Sequence, residues 1–160
     1  VSVLPSPFDL PSGRLLALDL GQARHGVAVC DEAGILATPL TVVPRRATRV
    51  QDFTALGVLV NHERAVGVLI GLPLGGQTGS GRQARWVQRY AGRLAATLPV
   101  PVAFWDESFS TQDAERLLAS SRTLGGSGST PSDAVAAALI LQDFLEARRG
   151  RDRSNQPGDM

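Results

Sequence analysis

Leu15-Leu16-Ala17-Leu18-Asp19-Leu20-Gly21 is the stretch on which the fold turns. Apolar at nearly every position, it reads as a strand covered on both faces, with one carboxylate near its carboxyl end. An unpaired charge in such a place is costly, so something positive must compensate. Two further acids recur in comparable settings. Asp106-Glu107 closes the apolar run Val100 to Trp105, and Asp133 opens the apolar helix Ala134 to Phe144. Three acids at the ends of three core elements suggest a shared cation, and a shared cation suggests metal-assisted chemistry.

Outward from this strand, Gly21 and Gly26 bracket a turn, and Val27–Cys30 returns as a second strand. Ile35–Val43 supplies a third, broken near Pro39. The period then changes. Val50–His62 has helical spacing in Phe53, Leu56 and Val60, and Ala65–Ile70 is a continuous apolar strand. A helix from about Gly81 to Leu98, a strand Pro101–Trp105, a short helix from Ser110 or Thr111 to Leu118, and a helix from Pro131 to about Arg148 complete the order. An antiparallel meander followed by βα units predicts an α/β fold, a mixed five-stranded sheet with three antiparallel and two parallel strands and helices on both faces. Pro5, Pro7 and Pro11 mark residues 1–12 as a flexible arm. Residues 13–148 form one domain, and the polar residues 149–160 a disordered tail.

The 160 residues are 43% hydrophobic and 19% charged, ordinary for a soluble domain with a real core. No stretch has the length and apolarity to span a bilayer, and the N-terminus has no basic start followed by a long apolar run. Cys30 is the one cysteine, which suits a reducing compartment, and the cytoplasm is expected. Net charge is only +1, yet its layout is uneven: every basic residue is arginine, and Arg64 to Trp105 contains no acid. Within that segment Arg82, Arg85, Arg89 and Arg93 form a stripe flanked by Trp86, opposite the apolar Ala84, Val87, Ala91, Leu94 and Leu98. Guanidinium forks fit phosphates and aromatic rings stack on unpaired bases, so this face suits a nucleic acid. A plain solvated face is the simpler alternative, but no acid balances the stripe. Arg24 and the loop Arg45-Arg46-Arg49 are further candidates.

Each acid also has a plainer reading. Asp19 could cap the turn before Gly21. On the fifth strand, Phe104 and Asp106 share one face and Trp105 and Glu107 the other, so alternation admits one acid to the site without choosing it. Thr130-Pro131-Ser132-Asp133 is a good helix start that needs no metal. Against that, Asp133 shares a helix face with Ala137, Ile140 and Phe144, which should pack on the sheet. His25 and His62 are isolated and read as surface or turn histidines.

Leu16-Ala17-Leu18-Asp19-Leu20-Gly21 with Arg24 and Gly26-Val27-Ala28 resembles the opening of the YqgF (RuvX) family of RuvC-like, RNase H-fold nucleases. Gly71-Leu72-Pro73-Leu74 is similar to its signature loop. Asp106-Glu107 with Ser110-Thr111 is similar to its acid-bearing strand end, and Ser132-Asp133-Ala134-Val135-Ala136-Ala137 with Ile140-Leu141 to its last helix. The motifs occur in family order from about residue 14 to 146. The resemblance implies an RNase H-like sheet, a metal site of Asp19, Glu107 and Asp133, and Glu107 rather than Asp106. It adds Ser110 and Thr111 as nucleic-acid contacts. It also implies maturation of the 5′ end of 16S ribosomal RNA in bacteria. Two positions depart: Ser108 stands where arginine is common, and Gly125-Gly126-Ser127-Gly128-Ser129 where lysines are frequent.

Two divalent ions about 4 Å apart could activate water and neutralise the leaving oxygen, and all-oxygen ligation favours Mg2+ or Mn2+. The expectation is a metal-dependent nuclease acting on precursor rRNA. Competing readings are a Holliday-junction resolvase on branched DNA, which would require a homodimer, an actin-like sugar kinase or ATPase, and a non-catalytic nucleic-acid-binding module.

Overall fold

The computed structural model describes residues 3–73, 80–106 and 132–156. Among them, β1 (Leu15–Asp19), β2 (Arg24–Cys30) and β3 (Ala37–Pro44) precede α1 (Arg49–His62), β4 (Gly67–Leu72), α2 (Ser80–Thr97), β5 (Val102–Asp106) and α3 (Ser132–Ser154). The five strands lie in the order β3-β2-β1-β4-β5. β1 pairs antiparallel with β2, which pairs antiparallel with β3; β1 and β4, and β4 and β5, are parallel. This is the mixed sheet the strand pattern predicts.

β1 is the central strand, and its composition follows from that position. Leu15, Leu16, Ala17 and Leu18 are all buried because helices cover both faces. Leu16, Leu18 and Leu20 join the core under α1 and α2, with Val68, Ile70, Val87 and Leu94. Leu15 and Ala17 join the core under α3, with Leu69, Ala103, Ile140 and Phe144. Each leucine fully withdrawn from water contributes about 1.5–3 kcal/mol before the entropy of ordering is subtracted.

The elements begin and end somewhat off the positions predicted from sequence. β2 starts at Arg24, three residues early, because its ladder with β1 and β3 runs back to the turn. β4 covers Gly67–Leu72 rather than 65–70. The break expected near Pro39 is a bulge: β2 and β3 change register between Val27 and Ala28, so that Thr41 and Pro39 face successive residues of β2.

Residues 3–12 are not a loose arm. Val3 bridges to Val102, Leu4 N–H donates to the Val102 carbonyl at 2.7 Å, and a 3-10 turn follows at Pro7–Asp9. Leu10 is buried, and the Phe8 ring meets Trp105 edge-on at 5.9 Å. The prolines suit an extended edge segment, and the two large apolar side chains anchor it. At the other end, α3 continues to Ser154, beyond the expected end near Arg148. Arg148 and Arg149 donate to the carbonyls of Pro11 and of Gly34 and Ile35, which fastens this part of the helix.

Candidate active site and nucleic-acid face

Asp19 is the last residue of β1 and half-buried. By alternation it shares a face with Leu15 and Ala17, the face that α3 covers. Directly across the ladder from Asp19 lies Gly26 of β2. A Cβ built on Gly26 would overlap the backbone carbonyl of Asp133. The first turn of α3 therefore rests on bare backbone at Gly26, and Asp133 arrives beside the strand position that faces Asp19. This close approach joins two acids that stand 114 positions apart in the numbering of the chain.

Asp133 is not buried against the sheet. Ala137, Ile140 and Phe144 are buried, as the helix face predicts, but Asp133 stays half-exposed and ion-pairs with Arg24 Nε. The Arg24 side chain is 63% exposed. Arg24, expected to contact nucleic acid, is thus held at the acid site by the carboxylate of Asp133.

β5 separates its two faces clearly. Trp105 lies with Ala103 in the core under α3, and its Nε1–H donates to Asp143 at 2.9 Å. Phe104 packs on the opposite core. Asp106 follows Phe104 by alternation and is exposed at the edge of the sheet. Glu107, Ser110 and Thr111 lie outside the described residues, as do Leu74, Ser108, the expected short helix and the loop 125–129. Among the described residues, no three or more His, Cys, Asp or Glu side chains gather as a metal-binding group.

His25 is where the sequence reading errs. It is fully buried, not a surface or turn histidine. Its Nδ1 accepts the Gly21 N–H at 3.3 Å. That assigns the ring proton to Nε2, which lies 2.9 Å from Asp52 Oδ2 and donates to it. The Tyr90 hydroxyl donates to the same carboxylate, and the Arg46 N–H to its other oxygen. Burial pushes Asp52 up, but the bonds from Tyr90, His25 and Arg46 outweigh it and hold the carboxyl below its ordinary value. Tyr90 moves the other way: burial and the neighbouring carboxylate raise its hydroxyl well above the usual tyrosine range. The missed signal was Asp52 itself. It stands four residues before Leu56 and eight before Val60, on the buried stripe of α1.

The arginine stripe forms as the spacing predicts. Arg82, Arg85, Arg89 and Arg93 are exposed on α2, Trp86 is half-buried, and Ala84, Val87, Ala91, Leu94 and Leu98 are buried. Arg82, Arg89 and Arg93 line hollows beside Trp86, whereas Arg85 lies outside them. His62 is exposed at the end of α1.

Comparison with known proteins identifies the family and the fold. A protein of Mycobacteroides abscessus named "Putative pre-16S rRNA nuclease" is 38% identical over 97% of this chain and 92% of its own length. One of Syntrophus aciditrophicus with the same name is 40% identical over 84% and 89%. Among solved structures, Thermus thermophilus RuvC in complex with a Holliday junction superposes with a TM-score of 0.58 at 17% identity, covering 86% of this chain and 96% of that one. Fowlpox virus resolvase, also bound to a Holliday junction, gives 0.51 at 7% identity, covering 84% and 97%. At such identities these two likenesses establish the fold. The sequence model described as RuvX, Holliday junction resolvase, matches residues 13–147, and with the close relatives it establishes that the chain belongs to the RuvX family.

Proposed function

We propose that this chain is a divalent-metal-dependent nuclease that hydrolyses phosphodiester bonds in precursor 16S rRNA, with Asp19, Glu107 and Asp133 as its metal-binding acids. The observation that carries the reading is the meeting of the Asp19 and Asp133 positions across Gly26. A structural cap has no need of a second acid delivered from a distant helix onto a bare glycine. Asp106 supports Glu107 as the third acid: by alternation it shares the face of Phe104, away from α3 and Asp133.

The donor chemistry fits the metal. Asp19 and Asp133 offer carboxylate oxygens, the ligands of Mg2+ and Mn2+. The nearby His25 has both ring nitrogens committed, to Gly21 and Asp52, so no imidazole competes as a ligand. A divalent ion bound there would supply an activated water and charge neutralisation at the leaving oxygen. The chain's own residues do the rest. Asp19 and Asp133 hold fixed negative charge at the sheet end. His25 pins the turn behind Asp19 through the Gly21 N–H. Arg24, paired with Asp133 yet largely exposed, stands where a phosphate would approach. The α2 arginines grip the strand away from the cut. Ser110 and Thr111 are proposed nucleic-acid contacts, and the cytoplasm is the proposed setting.

The test is incubation with precursor 16S rRNA and with a synthetic four-way junction, in magnesium, manganese or chelator. Cleavage of the RNA that chelator abolishes, and that Asp19→Asn, Glu107→Gln or Asp133→Asn abolishes in metal, is the expected result. Cutting that persists in chelator refutes the metal mechanism. Paired, symmetric cuts in the junction, made by a homodimer, would favour the resolvase reading, which the description of the family model supports.

A further inference from the structure

Beyond the acids, the side of the sheet covered by α1 and α2 carries a built basic groove. Arg45, from the loop after β3, and Arg49, at the start of α1, converge on Trp86, Arg89, Tyr90 and Arg93 of α2 around a hollow of about 240 Å³. A second hollow, about 270 Å³, lies beside Trp86 and Arg89 and is lined by Gln22, Arg82 and Gln83. Among the described residues, no acid lines either one. Trp86 stacks on Tyr90 with centroids 5.4 Å apart and planes tilted by 30°. The Arg45 guanidinium sits 5.4 Å from the Trp86 centroid and 5.9 Å from that of Tyr90. Tyr90 is itself fixed from below by Asp52. Trp86, half-buried and backed by the buried Tyr90, is therefore a firmly seated aromatic ledge at the helix surface.

The groove is also tied to the acid site. Arg45 Nη1 donates to the Gln22 carbonyl at 3.3 Å, and Arg45 N–H to that of Ala23 at 3.0 Å. Gln22 and Ala23 belong to the turn that directly follows Asp19 and Leu20.

We infer that this groove is a single-strand subsite: an unpaired stretch of the nucleic acid lies along α2, stacks a base on the Trp86 ring that Tyr90 backs, sets phosphates on the flanking arginines, and passes Gln22 to the acids. The inference rests on the nuclease reading and narrows its substrate to one with an unpaired flank beside the cut. A ledge of aromatic rings and guanidinium planes offers stacking, which a base inside a duplex cannot accept from the side. The arginines alone would suit either form; Trp86 decides for the single strand.

The experiment measures Kd by fluorescence anisotropy in chelator, for one RNA as a blunt duplex and as the same duplex with a single-stranded flank. Wild type should prefer the flanked RNA, with its tryptophan emission quenched on binding. Trp86→Leu should lower that preference about tenfold and remove most of the quenching. Trp86→Phe, which keeps a ring, should retain much of the preference and guards against misfolding. Arg93→Gln, at an exposed position, should reduce the log–log salt slope for the flank by ~0.7. Equal affinity of wild type for the two RNAs, or a preference untouched by Trp86→Leu, overturns the inference. So does displacement of the flanked RNA by adenosine monophosphate at similar affinity, which would make the hollow a mononucleotide site. Cleavage of precursor RNA, measured separately, tells the two readings apart. Cleavage without flank preference sinks the subsite and spares the nuclease; flank preference without cleavage does the reverse.

Discussion

Gly26 has no side chain, and that lack fixes where Asp133 can stand. An alanine there would press its methyl group into the backbone carbonyl of Asp133, and backbone cannot swing aside as a flexible side chain does. Gly26→Ala should cost about 1–3 kcal/mol of stability through overpacking and should also abolish cleavage, because the first turn of α3 must move away from Asp19. Asp133→Asn separates the two effects. It removes a largely exposed ion pair with Arg24, worth about 0.2–1 kcal/mol, and keeps the helix in place. Cleavage should fall by orders of magnitude while the denaturation midpoint barely moves. A mutant that cuts normally would return Asp133 to the role of a helix-start residue. At this scale the candidate acids were legible, since Asp19 and Asp133 break apolar patterns at element ends. What joins them was not. Gly26 read as a turn glycine, and the Arg24 partner lies 109 residues away, beyond any local pattern.

Among the elements, α1, β2 and α2 are locked together by one buried polar knot. Asp52, His25 and Tyr90 each come from a different element, and each finds its partner only in the folded chain. Sequence periodicity places the helices and the apolar stripe between them, but a tertiary hydrogen bond leaves no periodic trace. That is why His25 reads as a turn residue while it is in fact core. Tyr90→Phe keeps the ring and withdraws a donor from a buried carboxylate, so it should cost about 1–3 kcal/mol. The pH dependence has a definite sign. The folded chain holds Asp52 below its ordinary value of 3.8, so its carboxylate contributes in full above that value. The contribution is lost as pH falls through the lower folded value. Asp52→Asn should therefore be less stable than wild type near neutrality, and the gap should narrow in urea titrations carried below the ordinary aspartate range. Asp31, whose carboxyl the Leu36 and Ile35 N–H groups also lower, is present in both proteins and cancels. A gap constant with pH would mean that Asp52 acts as a hydrogen-bond acceptor irrespective of its charge.

Across the whole molecule, strand order and the two covered faces were legible because a central strand with helices on both sides must be apolar on both faces, and Leu15–Leu18 is. Residues 3–12 and 149–154 read as loose in sequence because prolines and polar residues mark extended or exposed chain without saying what it packs against; Phe8 and Leu10 are the contrary signal. Metal linkage tests the assembled site as a unit. A ligand that binds only the folded chain stabilises it by about 2.7 kcal/mol at a hundred times its Kd. For a domain of this length each kcal/mol raises Tm by roughly 2–4 °C, so saturating magnesium or manganese should raise wild-type Tm by roughly 5–10 °C. Asp19→Asn should lose most of that rise. Arg24→Ala should keep it, and its rise should come at lower metal concentration, because Asp133 no longer has a guanidinium to give up. A Tm that ignores both metals in the wild type, or a rise that survives in Asp19→Asn, would place any bound cation elsewhere. The Asp19–Asp133 pair would then be a structural meeting of two element ends, and the metal mechanism would lose its ground.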